Sequence, residues 1–331
     1  MKQPAAQLFT LENHCLRVCL TNFGAAIFSF QVKDGDAWED IALTCDSLEA
    51  FRENRNFYGA TVGRVVNRIK KGQAIIGGKT YQLTLNDGNN SAHGGEETYA
   101  WRLWEAEQQE NTVIFRLLSR DGEAGYPGNV QVEVTYRLEE NALSVTHRAV
   151  SDRETIFNMT NHTYWCLGGL GEKIYDQELM INGDFYLEVD DELIPTGQIL
   201  SVKDTPFDFT SPRRIGDRIH DPAPMLQNNR GYDVSFVRSQ RGMGLAARLT
   251  APNKRRVLEV ESTLPDLHIY TGNFLNGDPG KDGIAYTAHD AICLEAERFP
   301  DAVNNAHFGS IFLKPDEPYE EIIRFRISHC K

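Results

Sequence analysis

The chain lacks the sequence features that mark secreted and membrane-spanning proteins. The N-terminal stretch MKQPAAQLFTLENH has no apolar core of the kind found in signal peptides. A run of about 18 apolar residues, long enough to cross a bilayer, is also missing. The sequence therefore predicts neither a secretory signal nor a membrane span.

Cysteine is present, but not in the spacing that metal sites or redox motifs require. The chain has no CxxC motif and no clustered thiols. The six cysteines are Cys15, Cys19, Cys45, Cys166, Cys293 and Cys330. Scattered cysteines without a framework are typical of reduced thiols in a cytoplasmic protein. We therefore expect a cytoplasmic location.

Basic residues are in deficit. The 34 Lys and Arg residues face 47 Asp and Glu residues, which gives a formal net charge of −13. Nucleic acids and anionic membrane surfaces select basic proteins. The charge balance argues against both as partners, whereas a neutral small molecule is indifferent to it.

Helical signals are few, and alternation dominates the chain. The best helix candidate is CDSLEAFREN at 45–54, where Asp46 and Glu49 have capping-box spacing. In VQVEVTYRL at 130–138, by contrast, apolar side chains occupy every second position, which predicts a half-buried strand.

Turn signals connect several such segments into hairpins. VQVEVTYRL leads into ALSVTHRAV, Gly77-Gly78 divides AIIGGKTYQL, and Pro252-Asn253 divides a third pair. EEIIRFRIS at 320–328 predicts a last strand. The pattern predicts one large all-β domain over residues 1–331, an antiparallel sandwich or barrel with a few short helices.

Three segments place polar residues where the pattern favours apolar ones. Arg64, Asn67 and Arg68 interrupt GATVGRVVNRIKKG, and His93 precedes two glycines in LNDGNNSAHGG. Taken alone, the arginines favour a solvated surface strand, and a loop histidine is more often structural or merely exposed. Glycines permit a left-handed turn or the close approach of a ligand to the backbone.

In the third segment, AICLEAERFPDAVNNAHFG, Glu295 and Glu297 share a parity. A carboxylate at the end of an apolar strand is costly to bury unless it is paired or catalytic.

The segment NMTNHTYWCL at 158–167 contains a further candidate, His162. Alternation places His162 and Tyr164 on one face of a strand and Trp165 on the other. A buried histidine of purely structural role is an equal alternative at this point.

These segments together resemble the aldose 1-epimerase (galactose mutarotase) family. The resemblance is carried by GRVVNRIKKG, NNSAHGG, NMTNHTYWCLGG, GYDVSFV, IYTGNFL and CLEAERFPDAVN, which follow the order of the family. It implies a large antiparallel β-sandwich of the mutarotase type. It also implies an enzyme that interconverts the α and β anomers of free aldoses such as galactose and glucose, without metal or organic cofactor.

The resemblance also implies roles for individual residues. His162 matches the general acid and Glu295 the general base, with Glu297 a less favoured base. The matched sugar-binding residues are Asn67, Arg68, His93 and Asp233.

The sequence departs from the family pattern at several positions. EETYAWRLW, which contains Trp101, follows the HGG motif, Glu297 replaces the usual glutamine, and His268 is atypical. These departures leave the preferred sugar open.

The chemistry of ring opening sets an expectation for the acid. The anomeric hydroxyl must lose a proton while the ring oxygen gains one, so one base and one acid are the minimum apparatus. For work near neutral pH, we expect a nearby carboxylate to hold His162 in its cationic form.

Several alternatives stay open from the sequence. They are an epimerase of a hexose 6-phosphate, for which Arg52, Arg55 and Arg64 are candidate phosphate ligands, an epimerase of a disaccharide, and a non-catalytic sugar-binding protein. A glycoside hydrolase is less favoured, because it would require two carboxylates. The expected partner is a monosaccharide, and the expected assembly is a monomer or a weak homodimer.

Overall fold

The computed structural model describes residues 5–53 and 56–328, and β-strands dominate them. In chain order the strands are β1 Leu8–Glu12, β2 Leu16–Thr21, β3 Ala26–Asp34, β4 Ala37–Asp40, β5 Ala60–Val62, β6 Arg68–Ile69, β7 Gln73–Ile76, β8 Lys79–Gln82, β9 Ser91–Ala92, β10 Glu105–Gln109, β11 Thr112–Ser119, β12 Val130–Leu138, β13 Ala142–Ser151, β14 Thr155–Ile156, β15 Thr160–His162, β16 Tyr164–Trp165, β17 Glu178–Ile181, β18 Phe185–Val189, β19 Pro195–Ser201, β20 Arg213–Arg214, β21 Asp233–Val237, β22 Gly244–Thr250, β23 Val257–Ser262, β24 Asp266–Tyr270, β25 Asn276–Pro279, β26 Ala285–Thr287, β27 Ile292–Glu297, β28 Phe312–Leu313 and β29 Tyr319–Ser328.

Helices are short and lie between the strands. The described residues contain two α-helices, α1 (Leu48–Glu53) and α2 (Pro224–Asn229). Single 3₁₀ turns occupy Lys70–Gly72, Gly95–Glu97, Tyr99–Trp101, Glu123–Gly125, Ile174–Asp176, Ile215–Asp217, Lys281–Gly283 and Ala306–Phe308. Neither α-helix is long enough or apolar enough to cross a membrane.

The predicted helix at 45–54 is present, but the prediction of its cap is wrong. The Ser47 hydroxyl, rather than Asp46, accepts the hydrogen bond from the Ala50 amide at 3.1 Å. The Asp46 carboxylate instead accepts a hydrogen bond from the distant Asp282 amide at 2.7 Å. A tertiary contact therefore takes the side chain that local spacing assigned to capping.

Two large sheets form the body of the molecule. One has nine strands in the order β10-β11-β12-β13-β29-β23-β22-β17-β20, and the other has six in the order β16-β27-β24-β21-β18-β19. Neighbouring strands in both sheets pair antiparallel. Strands β1 to β4 form a third sheet. The predicted antiparallel all-β class is confirmed.

The two large sheets pack face to face around one apolar core. Trp165 on β16 contacts Phe325 on β29 with ring centroids 4.9 Å apart, so the sheets meet there. Buried residues from both sheets belong to the same core cluster. This is sandwich packing. The assignment of residues 1–331 to a single domain stays a prediction.

The predicted hairpins are confirmed. Strands β12 and β13 pair as predicted, and the alternate residues Val130, Val132, Val134 and Tyr136 are buried. Gly77 and Gly78 connect β7 to β8, and both have positive φ angles (56° and 76°), as a tight hairpin turn requires. Strand β29 covers the predicted last strand.

Candidate active site

The floor of the site is one face of the six-stranded sheet, whose central strands alternate between polar and apolar side chains. Ser235 on β21 lies opposite His268 on β24, which lies opposite Glu295 on β27. Opposite residues of an antiparallel pair point to the same face, so these three form a row. The next row is Asp233, Tyr270 and Cys293. The intervening residues, such as Leu267 and Leu294, are buried in the apolar core.

His162 lies at the end of β15, beside this floor. Its ring centroid is 5.1 Å from that of Tyr164, so both rings lie on the same side. Trp165 is fully buried on the opposite side, where it packs against Phe30 and Phe325. The prediction that Tyr164 shares the face of His162 while Trp165 points to the core is confirmed, although Thr163 interrupts the strand assignment.

These side chains surround a cavity of about 330 Å³. All six predicted site residues line it, although they come from distant parts of the chain. The lining is Asn56, Phe57, Asn67, Arg68, Asn86, Asp87, Ala92, His93, Trp101, His162, Tyr164, Asp233, His268, Tyr270, Phe274 and Glu295. Ligand sites in proteins typically begin at this volume.

The central pair of the cavity is His162 and Glu295. The distance from His162 Nε2 to Glu295 Oε1 is 3.5 Å, and both side chains are buried. Burial lowers the pKa of His162 to about 4. Burial, helped by the nearby Asp233 carboxylate, raises the pKa of Glu295 well above its usual range.

The expectation of a cationic His162 in the resting site is therefore wrong. A low dielectric disfavours the charged forms of both groups. His162 is therefore uncharged at neutral pH, and burial favours the protonated form of Glu295.

Glu297 lies one row deeper and does not line the cavity. Its side chain is fully buried, and its Oε1 accepts a hydrogen bond from Asn67 Nδ2 at 3.1 Å. Of the two glutamates that the sequence offered, only Glu295 reaches the space where a ligand would lie.

The NR and HGG motifs form two loops that hold each other against the cavity. The His93 amide donates to the Asn67 carbonyl at 3.0 Å, and both residues have positive φ angles, 51° and 62°. Gly94 packs so closely on Gly63 that an added Cβ would lie 2.0 Å from the Gly63 carbonyl oxygen. The glycine thus permits backbone packing rather than contact with a ligand.

Polar partners fix the sugar-contact candidates in place. His268 Nε2 lies 2.9 Å from Asp233 Oδ1, and His268 Nδ1 lies 3.0 Å from the Ser235 hydroxyl. Burial alone would raise the pKa of Asp233, but the hydrogen bond from His268 lowers it. Arg68 Nε donates to Asp87 Oδ2 at 2.7 Å, which holds the guanidinium at the cavity wall.

Arg64 is neither a solvated surface arginine nor a phosphate ligand, and both predictions for it are wrong. It is 2% exposed, and its guanidinium donates to the carbonyl oxygens of Pro127 and Gly128 and to the Ser119 hydroxyl. The Arg64 side chain therefore stabilises the loop at 119–128 through these hydrogen bonds. Arg52 does not line the cavity, and Arg55 lies outside the described residues.

Sequence reasoning missed most of an aromatic wall on the open side. Phe57 stacks on Trp101 at 5.3 Å between centroids and lies 5.8 Å from His162. Phe274 lines the rim and is 54% exposed, unusual for a phenylalanine. An exposed aromatic side chain next to polar groups suits the apolar face of a sugar ring. Exposure of this kind has no signature in the sequence pattern.

The donor set nearest to a metal site in the described residues is His162, Cys293 and Glu295, whose ligand atoms lie within 4.8 Å of one another. Cys293 Sγ approaches His162 Nδ1 at 3.5 Å, whereas Glu295 approaches Nε2. The thiol and the carboxylate therefore face different nitrogens of the ring, whereas a single ion binds only one nitrogen of an imidazole. The arrangement does not fit a metal centre.

A larger groove of about 700 Å³ lies along β11 to β13 but has a different character. Its walls include Leu118 and Val150, with the surface ion pair of Arg148 and Glu320 at 2.6 Å. None of the predicted site residues lies there. Size alone therefore does not identify the reactive site.

Comparisons with known proteins find a family model and relatives that cover nearly the whole chain. The family model for aldose 1-epimerase matches residues 7–326. The chain is 41% identical to galactose mutarotase from Bos taurus over 325 residues, covering 97% of this chain and 93% of the relative. It is 34% identical to aldose 1-epimerase from Escherichia coli K12 over 329 residues, covering 97% and 94%. A solved aldose epimerase homologue from C. elegans has a TM-score of 0.92 at 30% identity, covering 99% of this chain and all 100% of the other.

Proposed function

The chain belongs to the aldose 1-epimerase family, and on this basis we propose how its cavity performs the reaction. The protein is an isomerase that interconverts the α and β anomers of free aldoses such as galactose and glucose. The observation that supports the mechanism best is the His162–Glu295 pair, 3.5 Å apart at the floor of the cavity.

The reaction begins with a hemiacetal ring. Glu295 accepts the proton of the anomeric hydroxyl while His162 donates a proton to the ring oxygen. The bond from C1 to the ring oxygen breaks, and C1 becomes a carbonyl. Rotation about the C1–C2 bond turns the other face of this carbonyl to the ring oxygen. The reverse proton transfers then close the ring as the opposite anomer.

The pair has the proton count that this scheme needs. Burial disfavours both charges, so it favours a resting site in which the single proton lies on Glu295. A bound sugar brings hydroxyl donors to the carboxylate, which lowers its pKa. The proton then moves across the 3.5 Å contact to His162 and creates the base and the acid together.

The remaining cavity residues hold the sugar. Asn67, Arg68, His93 and Asp233 provide hydrogen-bonding groups around the pair. Several positioned polar groups around a ring fix its orientation and bring the reacting atoms to hydrogen-bonding distance.

A neutral sugar suits the charges of the cavity better than a sugar phosphate does. In the lining of the cavity, as far as the structure describes it, Arg68 is the one arginine or lysine, and it is paired with Asp87. The carboxyl groups of Asp233 and Glu295 lie nearby. A phosphate would need several converging cations.

The test is a polarimetric assay of fresh α-galactose, α-glucose, maltose and glucose 6-phosphate side by side. We expect catalysed interconversion of the two free hexoses, and loss of about 10²–10⁴-fold in rate for Glu295→Gln with an unchanged circular dichroism spectrum. A rate equal to the uncatalysed reaction for every sugar would contradict the function. Full activity of Glu295→Gln would contradict the mechanism alone.

The cytoplasmic location and a monomeric or weakly dimeric state are part of the same proposal. The free thiols of Cys15, Cys19, Cys45, Cys166 and Cys293 are compatible with a reducing compartment. Sedimentation equilibrium at micromolar concentration tests the assembly, with a stable tetramer as the result that would overturn it.

A further inference from the structure

The third row of the sheet face contains two acidic residues that the mechanism does not use. Asp266 on β24 lies opposite Glu297 on β27, and both are fully buried. Opposite residues on antiparallel strands have Cβ atoms about 5 Å apart and point to the same face. The two carboxyl groups are therefore neighbours in a dry environment.

Their hydrogen bonding is incomplete within the described residues. Neither oxygen of Asp266 has a hydrogen-bond partner there, and Glu297 Oε2 also has none. Burial raises the pKa of Asp266, and the nearby Ser235 hydroxyl and Leu267 amide oppose this shift without reversing it. Buried carboxylates without partners are strongly destabilising.

A shared proton removes this penalty. If one carboxyl group is protonated, its O–H can donate to an oxygen of the other, which satisfies atoms that otherwise lack partners. Burial and mutual repulsion both favour this state, since each raises the pKa of Glu297, and the charge of Asp233 acts in the same direction. Burial likewise raises the pKa of Asp266.

The pair is connected to the cavity through Asn67. The side-chain nitrogen Nδ2 of Asn67 donates to Glu297 Oε1 at 3.1 Å and lies 3.3 Å from His268 Nδ1. The side-chain oxygen Oδ1 of Asn67 accepts a hydrogen bond from the backbone amide of Arg68 at 2.9 Å. Asn67 and His268 both line the cavity. Glu297 thus orients one cavity residue and, through it, a second.

We propose that Asp266 and Glu297 share one proton and act together as a positioning pair that orients Asn67 and His268 for sugar binding. This inference rests on the proposed function for its kinetic test. Neither residue touches the sugar, and the pair acts through the Asn67 amide alone.

The kinetic test compares Glu297→Met with Glu297→Gln. Methionine has a similar length but offers Asn67 no oxygen, whereas glutamine keeps that acceptor and can donate to Asp266. We expect Glu297→Met to raise KM for galactose about 5–10-fold and to leave kcat within about twofold. A misoriented Asn67 would lose about one hydrogen bond to the sugar, and this weakens substrate binding without changing the chemical step. Glu297→Gln should stay within about twofold of the wild-type protein in both constants. An unchanged KM in Glu297→Met, or equal damage in both variants, would overturn the proposal.

An infrared measurement tests the shared proton even if Glu297→Met fails to fold. In a Glu295→Gln background, the carbonyl band of a protonated carboxyl group at neutral pH should weaken when Asp266→Asn and Glu297→Gln are added. No difference between the spectra would overturn the shared proton. So would a bound cation, seen as a loss of thermal stability after dialysis against EDTA in the wild-type protein but not in Asp266→Asn.

The proposed function and the positioning pair can fail separately. A wild-type protein with no activity on any aldose contradicts the proposed function and leaves the infrared result standing. An active wild-type protein with a normal KM in Glu297→Met contradicts the positioning pair alone.

Discussion

Two buried histidines show how the same residue type serves different ends: His162 lies on the short strand β15 beside the six-stranded sheet, and His147 lies on β13 of the nine-stranded sheet. Burial lowers the pKa of both, to about 4 for His162 and about 3 for His147. His162 faces a cavity and lies 3.5 Å from Glu295. His147 lies in the core on β13, and neither of its ring nitrogens has a hydrogen-bond partner in the described part of the chain. A depressed pKa alone therefore does not identify a catalytic group; access and a titratable partner do.

The largest expected contrast is in activity. His162→Asn should lower kcat/KM for galactose by at least about 10²-fold, because it removes the proposed proton donor. The matched control His147→Leu should keep the rate within about twofold. Polarimetric measurement of the rate of anomer interconversion by both purified variants checks this contrast. Equal losses in the two variants would show that burial, and not chemistry, explains the effect of the first.

The pH dependence of kcat/KM tests the protonation states of His162 and Glu295. In the proposed mechanism the His162–Glu295 pair holds one proton in total. Activity therefore falls at low pH, when His162 becomes protonated while Glu295 keeps its proton, and at high pH, when the pair loses its only proton. The low pKa of His162 places the acid limb near pH 4, and the raised pKa of Glu295 moves the alkaline limb well above the usual range for glutamate. An acid limb near pH 6.5, the ordinary value for histidine, would show that His162 is not desolvated in the working enzyme.

The smallest effect concerns stability. His147 has a lower pKa folded than unfolded, so the unfolded chain binds more protons below about pH 6.5 and the fold loses stability as the pH falls toward about 3. His147→Leu removes this penalty. We expect a gain of about 1 kcal/mol in the free energy of unfolding at neutral pH. The gain should grow by up to about 1.4 kcal/mol per pH unit below 6.5.

Urea titrations at pH 5 and pH 8 measure this gain. A variant that is less stable than the wild-type protein at pH 5 would show that His147 has a stabilising partner.

Much of the nine-stranded sheet could be predicted because its signals are local. In VQVEVTYRL the alternation and the following turn determine both the buried face and the neighbouring strand. The helix cap shows the limit of such reasoning. Asp46 has the right spacing, yet a contact with Asp282 removes it from the cap.

The sequence predicted residues that line the cavity but not their environment. Motifs selected His162 and Glu295, which both line the cavity, and alternation correctly separated Tyr164 from Trp165. No local pattern shows that β27 lies between β16 and β24, since these strands come from distant parts of the chain. Burial follows from that arrangement, so the uncharged His162 and the enclosed Arg64 had to come from the structure.

A double-mutant cycle on His162 and Glu295 tests the proposed catalytic pair most directly. If Glu295 and His162 transfer protons as one unit, the variant with both Glu295→Gln and His162→Asn should be no slower than the slower single variant, because either change alone disables the unit. Losses that multiply in the double variant would contradict the account, since they would mean that the two residues act independently.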